Sequence, residues 1–224
     1  MRGFLDILFK VVSILGHPIL LPTYFALSIN DIYELSTLRV TTFTFVLPVL
    51  VMSIVYAIAR YRQSKAQKAS DGYVVMSQQD VEKMSGGWAD RFESFFDTTR
   101  NRSIALAVVV VVASVGYILF AGLMWRLIMM FTAFASLACL LINNFWRLSI
   151  HSFGWGFAIY LLIFNYSYVF YNPYLLSVLL ILVCGLVISS RLYLGRHNGL
   201  QVHLGFALGV IVPALFNLYV AFKM

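Results

Sequence analysis

Acidic side chains are missing from the second half of the chain. All nine carboxylates lie at or before Asp97, so a paired-carboxylate mechanism or a carboxylate cage for a hard metal ion is excluded beyond it. The basic side chains beyond that point are Arg100, Arg102, Arg126, Arg147, Arg191, Arg196 and Lys223. This half of the chain therefore favours an anionic ligand, although positive-inside topology explains some of the arginines without one.

Cysteine and charge are both scarce. The two cysteines, Cys139 and Cys184, fall inside apolar runs, and we expect buried small hydrophobes rather than a disulfide or metal pair. Charged residues make up 11% of the 224 residues and hydrophobic ones 61%, whereas soluble domains are about a quarter charged. The composition thus indicates an integral membrane protein. No GxGxxG, phosphate-cradling glycine loop or paired-cysteine motif occurs, and we expect no cofactor and no metal.

Seven apolar runs are long enough, or nearly so, to span a bilayer. They cover about residues 5–29, 40–59, 103–123, 127–145, 153–170, 173–189 and 200–222. We expect a kink in the first run at His17-Pro18, a kink in the seventh at Pro213, and a tight turn at 124–126. The prediction is an all-α fold with a single transmembrane domain over residues 1–224. It is a polytopic integral membrane helix bundle of about seven transmembrane helices plus one short interfacial helix.

The longest polar segment covers about residues 60–102 and is predicted to be a cytoplasmic loop. Trp88, Phe92, Phe95 and Phe96 recur there at helical spacing, which is typical of a short amphipathic helix on the membrane surface. A helix that binds a protein partner would have the same pattern. Lysine and arginine counts place the N-terminus, this loop and the basic turns on the cytoplasmic side, and we expect a bacterial inner membrane.

A short polar break separates the last two runs. Asn198 can cap the helix that follows, with Gln201 three residues later completing a capping box. His197 would then lie just outside a helix N-terminus, where the helix dipole favours an anion. Arg191 and Arg196 add donors suited to phosphate oxygens. The break predicts a site for a phosphate-sized anion at the membrane surface.

A second polar break, residues 147–152, separates the fourth and fifth runs. Because two spans lie between the breaks, Arg147 and His151 are expected on the same face of the membrane as Arg191 and His197. Such a group can transfer a phosphoryl group without a metal. One imidazole attacks phosphorus, the other protonates the leaving alkoxide, and guanidiniums neutralise the equatorial oxygens.

Both breaks resemble motifs of the type 2 phosphatidic acid phosphatase superfamily, which includes vanadium haloperoxidases. The family's Ser-Arg-x5-His-x3-Asp motif is matched by Ser190-Arg191-x5-His197 up to its last residue. Its Pro-Ser-Gly-His motif keeps its serine and histidine as Ser149 and His151. The order of the last three runs also agrees.

The resemblance implies a role for each matched residue. His197 would be the nucleophile that forms a phosphohistidine, and His151 the general acid. Arg191 and Ser149 would be phosphate ligands. The resemblance is to a bacterial-type membrane branch, and departures from the family pattern make that branch a divergent one.

These departures affect the side chain that orients the nucleophilic histidine and the basic residues that would bind phosphate. Gln201 stands where the family has the aspartate that orients the nucleophilic histidine, and a neutral amide cannot stabilise an imidazolium as a carboxylate does. The family's Lys-x6-Arg-Pro motif has no match, although Arg147 or Arg196 could supply its charge. The proline and glycine of the middle motif are also replaced.

Two functions stay open. The first is a phosphatase, a metal-independent phosphomonoesterase acting on a lipid phosphate or a prenyl or lipid diphosphate at the cytoplasmic leaflet. The second is a catalytically silent relative that binds lipid phosphate or serves as an assembly subunit of a membrane complex. Each site residue also has a purely structural interpretation, in which the histidines are plain polar residues beside helix starts and Arg191 and Arg196 are cytoplasmic anchors. His17 is expected to satisfy backbone groups freed by Pro18, and no nucleic-acid partner is expected.

Overall fold

The structure, a computed structural model, describes residues 2–21, 98–119, 123–165 and 173–223, together with scattered positions between 46 and 61. Within these residues all regular secondary structure is helical. Most of the predicted second run and of the predicted loop, including its interfacial helix, lie outside the described residues.

Six α-helices and one short 3-10 helix make up the described fold. In chain order they are α1 (Arg2–Leu15), the 3-10 helix (Pro18–Leu20), α2 (Thr99–Leu119), α3 (Leu123–Phe145), α4 (Ile150–Asn165), α5 (Pro173–Tyr193) and α6 (Gly199–Lys223). Three segments are long and apolar enough to cross a membrane, namely Thr99–Leu119, Arg126–Phe145 and Gly199–Tyr219. Two further apolar helical segments, Ile150–Phe164 and Ser177–Tyr193, are shorter. The described fold is therefore that of an all-helical protein with several membrane-compatible helices.

The helix boundaries agree with the predicted breaks at one place and differ at two. The first helix ends at Leu15, just before His17-Pro18, where the interruption is expected. The predicted turn at 124–126 is wrong, since α3 already begins at Leu123. The leucine and methionine at the start of α3 are good helix formers. The last turn of α5 extends to Tyr193, so Ser190 and Arg191 are helical and not part of an irregular break.

The centre of the described bundle is α4. It packs against α3, α5, α6 and the 3-10 helix, while α1 packs on α5 and α2 on α3. Phe153, Trp155, Phe157 and Leu162 of α4 are all buried. A helix that is apolar around its whole circumference belongs inside a bundle, which explains the central position of α4.

Glycines bring α4 and α6 into backbone contact. A Cβ atom added to Gly209 would overlap the carbonyl of Phe153, and one added to Gly156 would overlap the carbonyl of Phe206. Small residues allow membrane helices to approach this closely. The contact fixes the N-terminal ends of α4 and α6 beside each other, and both candidate histidines lie near those ends.

Candidate functional site

The site forms where helix ends meet. Arg102, in the first turn of α2, donates a hydrogen bond from Nη2 to the carbonyl of Leu148, between α3 and α4. The backbone N–H of Ser149 donates to the carbonyl of Gln201, in the first turn of α6, at 3.2 Å. A Cβ on Gly205 would lie only 2.8 Å from the Ser149 carbonyl. The ends of α2, α3, α4 and α6 are thus joined by direct contacts.

His197 has a defined tautomer. Its Nδ1 lies 3.1 Å from Oε1 of Gln201, and the backbone N–H of Asn198 donates to the same oxygen at 3.3 Å. The Gln201 N–H donates in turn to Oδ1 of Asn198 at 2.9 Å, which completes a capping box at the start of α6. Because an amide oxygen only accepts, Nδ1 carries the hydrogen and Nε2 keeps its lone pair.

The surroundings of His197 keep its ring neutral. The pKa of His197 is lowered to about 4, mainly by burial and then by the positive charge of Arg191, with smaller contributions from Arg102 and Arg147. The hydrogen bond to Gln201 acts in the opposite direction but is outweighed. At neutral pH the ring is therefore uncharged, so its Nε2 lone pair is available for attack on an electrophile.

His151 lies in the first turn of α4 and is only 7% exposed. The backbone carbonyl of Ser13 accepts a hydrogen bond from its ring, while Nε2 is buried with no hydrogen-bond partner, so Nδ1 is the donor. The His17 ring packs edge-on against it, with centroids 4.9 Å apart and planes at 84°. Arg191 and His197 are close enough to act electrostatically on this imidazole. Both candidate histidines thus hold Nδ1 in a hydrogen bond and leave Nε2 for a ligand.

Arg191 is held inside the protein. It lies at the end of α5, is 4% exposed, and its Nη1 donates to Oγ of Ser13 at 2.7 Å. Its carbonyl accepts from the backbone N–H of Arg196 at 3.1 Å, and Gly195 with φ of 64° closes the turn between them. A neutral hydroxyl orients a guanidinium without cancelling its charge, so the positive charge of Arg191 acts on both His151 and His197.

The other predicted phosphate ligands occupy different positions. Arg147 is exposed, yet its charge acts on His197. Arg196 is half-buried in the turn before α6. The hydroxyl of Ser149 is fully buried and accepts hydrogen bonds from Oγ and N–H of Ser152, at 3.0 and 3.4 Å. Ser149 therefore caps α4, which locates this side chain at the N-terminus of the helix that carries His151.

The structure adds three residues to this site: Ser13, His17 and Arg102. In the sequence, His17 has a structural interpretation beside Pro18, and Ser13 is one hydroxyl inside an apolar helix. Arg102 is 4% exposed, although an arginine at the start of an apolar run looks like an interfacial anchor. Sequence spacing does not indicate that α1 belongs to the site. The residues that this segment contacts in α4 and α5 lie more than 130 positions further along the chain.

No protein-family model matches the chain, and neither the curated proteins nor the solved structures contain a match. Among the residues that the structure describes, His, Cys, Asp and Glu nowhere form a group of three suited to a metal ion. The side chains that do meet are imidazoles and guanidiniums. This combination can bind a phosphate-like dianion and present a nucleophilic nitrogen to it.

Proposed function

We propose that the chain is a membrane-embedded phosphohydrolase, a divergent member of the type 2 phosphatidic acid phosphatase superfamily. Its substrate would be a lipid phosphate or a prenyl or lipid diphosphate. The observation that carries the proposal is the environment of His197. Gln201 fixes its tautomer, Arg191 and Arg102 surround it with buried positive charge, and His151 lies close by with an unpartnered Nε2.

In the first step, Nε2 of His197 attacks phosphorus and forms a phosphorus–nitrogen bond. The bond from phosphorus to the alcohol oxygen breaks, and its electron pair goes to that oxygen. When the phosphate dianion is bound, its negative charge would allow His151 to take up a proton from solvent at Nε2. His151 then transfers this proton to the alcohol oxygen, so a neutral alcohol leaves. The guanidinium of Arg191 offsets the charge on the equatorial oxygens. A phosphohistidine and a neutral His151 result.

In the second step, water attacks phosphorus. Nε2 of His151 takes a proton from the water, and the phosphorus–nitrogen bond breaks with its electron pair returning to Nε2 of His197. Inorganic phosphate leaves, and both imidazoles regain their starting states. Splitting hydrolysis in this way replaces one difficult step by two easier ones.

An amphiphilic substrate suits the proposed position in the membrane. The apolar helices would surround the acyl or prenyl tail, and the basic pocket at the helix ends would take the head group. We place the pocket at the cytoplasmic side of a bacterial inner membrane, in a single domain of about seven spans with one interfacial helix. A protein partner would bind through the loop at about residues 60–102.

Phosphate release from a panel of lipid phosphates and diphosphates tests the proposal. We expect His197→Ala to lower turnover by about 10³-fold or more, as the loss of a nucleophile does in other hydrolases. We expect His151→Ala to lower it by about 10²- to 10⁴-fold, the usual contribution of a general acid. His203→Ala is the matched control, since His203 is an exposed histidine in α6, the helix that begins just after His197. Equal turnover in all three variants would rule out this mechanism.

A second candidate function is binding without turnover. The neutral amide of Gln201 favours it, because loss of the corresponding carboxylate in serine proteases costs about 10⁴ in rate. The chain would then be a lipid-phosphate-binding or assembly subunit of a membrane complex. Protection of the purified chain by inorganic phosphate or vanadate, with no phosphate released from any lipid, would identify this function.

A further inference from the structure

In the first helix, Ser13 contacts groups from two other helices of the site. Ser13 is 1% exposed. Its hydroxyl accepts a hydrogen bond from Nη1 of Arg191 at 2.7 Å, and its backbone carbonyl accepts one from the His151 ring. Arg191 lies at the end of α5 and His151 at the start of α4. One residue of α1 therefore links a guanidinium and an imidazole that belong to two different helices.

The position of Ser13 is fixed by the packing of α1. A Cβ added to Gly16 would overlap the side chain of Val187 in α5, so the two helices are in close contact there. The indole N–H of Trp155 in α4 donates to the Gly16 carbonyl at 2.8 Å. The end of α1 is thus held from both sides, and Ser13 cannot shift without disturbing one of these contacts.

We propose that Ser13 is a positioning residue that fixes Arg191 and His151 relative to one another, and that the end of α1 is therefore part of the anion site. The inference rests on the proposed function, which assigns the anion to this pocket. A hydroxyl suits the task because it can accept from a guanidinium while remaining neutral, so the positive charge stays available to the anion. An acidic residue at this position would cancel that charge.

Binding of inorganic phosphate and of vanadate to the full chain in lipid nanodiscs tests the inference, measured by calorimetry alongside turnover. We expect Ser13→Ala to weaken anion binding by about tenfold or more, because hydrogen bonds to charged groups are stronger than neutral ones. Ser13→Thr keeps the hydroxyl and should bind almost as the unaltered chain does. Ser189→Ala, an exposed serine of α5, is the matched control and should change nothing.

A double-mutant cycle separates positioning from packing. If Ser13 acts through Arg191, then Ser13→Ala adds no further loss in an Arg191→Ala background. If Ser13 only fills space, the loss is the same in both backgrounds, and that result overturns the inference. Thermal unfolding of each variant identifies any change that comes from loss of the fold, and Ser13→Thr keeps the test valid if Ser13→Ala is unstable.

The outcomes for Ser13 and for the proposed function are distinct. Anion binding that Ser13→Ala leaves unchanged overturns the positioning role while the phosphohydrolase proposal stands. Anion binding that depends on Ser13 without lipid phosphate turnover supports the positioning role and contradicts the enzyme. A chain that binds neither phosphate nor vanadate overturns both proposals.

Discussion

At the scale of single residues, Gln201 decides how the candidate nucleophile behaves. Its side-chain oxygen accepts from Nδ1 of His197 and from the N–H of Asn198, so it orients the ring and caps the helix at once. An amide performs the orienting task but adds no negative charge. The ring is consequently fixed in direction while its protonated form is disfavoured by burial and by the nearby arginines.

The first residue-scale prediction concerns the protonation of His197. Its pKa lies at about 4, below the usual value near 6.5, so the ring should stay neutral until the pH falls to about 4. Below that pH the proton occupies the Nε2 lone pair and nucleophilic attack is lost. Imidazole ¹⁵N NMR of the chain should show one histidine that titrates near pH 4, and His197→Ala should remove that signal.

Gln201→Glu extends the same prediction. The two side chains have nearly the same shape, but the carboxylate stabilises the imidazolium, so the pKa of His197 should rise toward its usual range and turnover should increase. Gln201→Leu removes the acceptor and should lower turnover. An unchanged titration in the Gln201→Glu variant would show that this side chain does not govern the ring.

At the scale of elements, the contact between α4 and α6 determines whether a site exists. Gly156 and Gly209 let the two backbones touch, and the Ser149 N–H then reaches the Gln201 carbonyl. His151 follows Ser149 closely in sequence, and His197 lies just before α6. The separation of the two imidazoles is therefore set by how closely these helices approach.

The element-scale prediction is that Gly209→Ala separates α4 from α6. A Cβ there would overlap the Phe153 carbonyl, and overpacking of this kind costs about 1–3 kcal/mol. We expect a melting temperature lower by several degrees in detergent, together with weaker phosphate binding. Gly185→Ala is the control, because a Cβ on Gly185 meets no atom within 4 Å. Equal melting temperatures for the two variants would contradict the close contact.

At the scale of the whole molecule, the site depends on several helix ends that lie next to one another. The starts of α2, α4 and α6 and the ends of α3 and α5 contribute the interacting groups, and the end of α1 joins them through Ser13. Consecutive helices that alternate in direction bring every second connection to the same end. With seven spans, this end would carry the positive charge of the cytoplasmic side.

The whole-molecule prediction is a labelling pattern. We expect cysteines introduced at Gly72 and Arg196 to react with an impermeant maleimide from the same side of the membrane, and one at Arg126 from the opposite side. The native Cys139 and Cys184 are buried and should stay unlabelled. Right-side-out and inside-out vesicles provide the measurement. Labelling of the Gly72 and Arg196 positions from opposite sides would refute the seven-span topology.

The sequence could predict what depends on local chemistry. The apolar runs predict the positions of α2 to α6 to within a few residues. A long apolar stretch favours a buried helix whichever helix it packs against, so its position can be read from the local sequence. The capping box of Asn198 and Gln201 is also predictable from the sequence, since its two residues are only three positions apart. The start of α3 differs from the predicted turn near residues 124–126, because these residues are helical.

The sequence alone thus determined a helical, membrane-compatible chain whose acid-free second half carries basic breaks with two histidines. Only the tertiary structure decided that Ser13, His17 and Arg102 belong with those histidines, and which ring nitrogens keep a free lone pair. The physical reason is the sequence distance over which each effect acts. Hydropathy and capping act over a few residues, whereas the contacts of α1 with α4 and α5 join segments more than 130 residues apart and follow from packing alone.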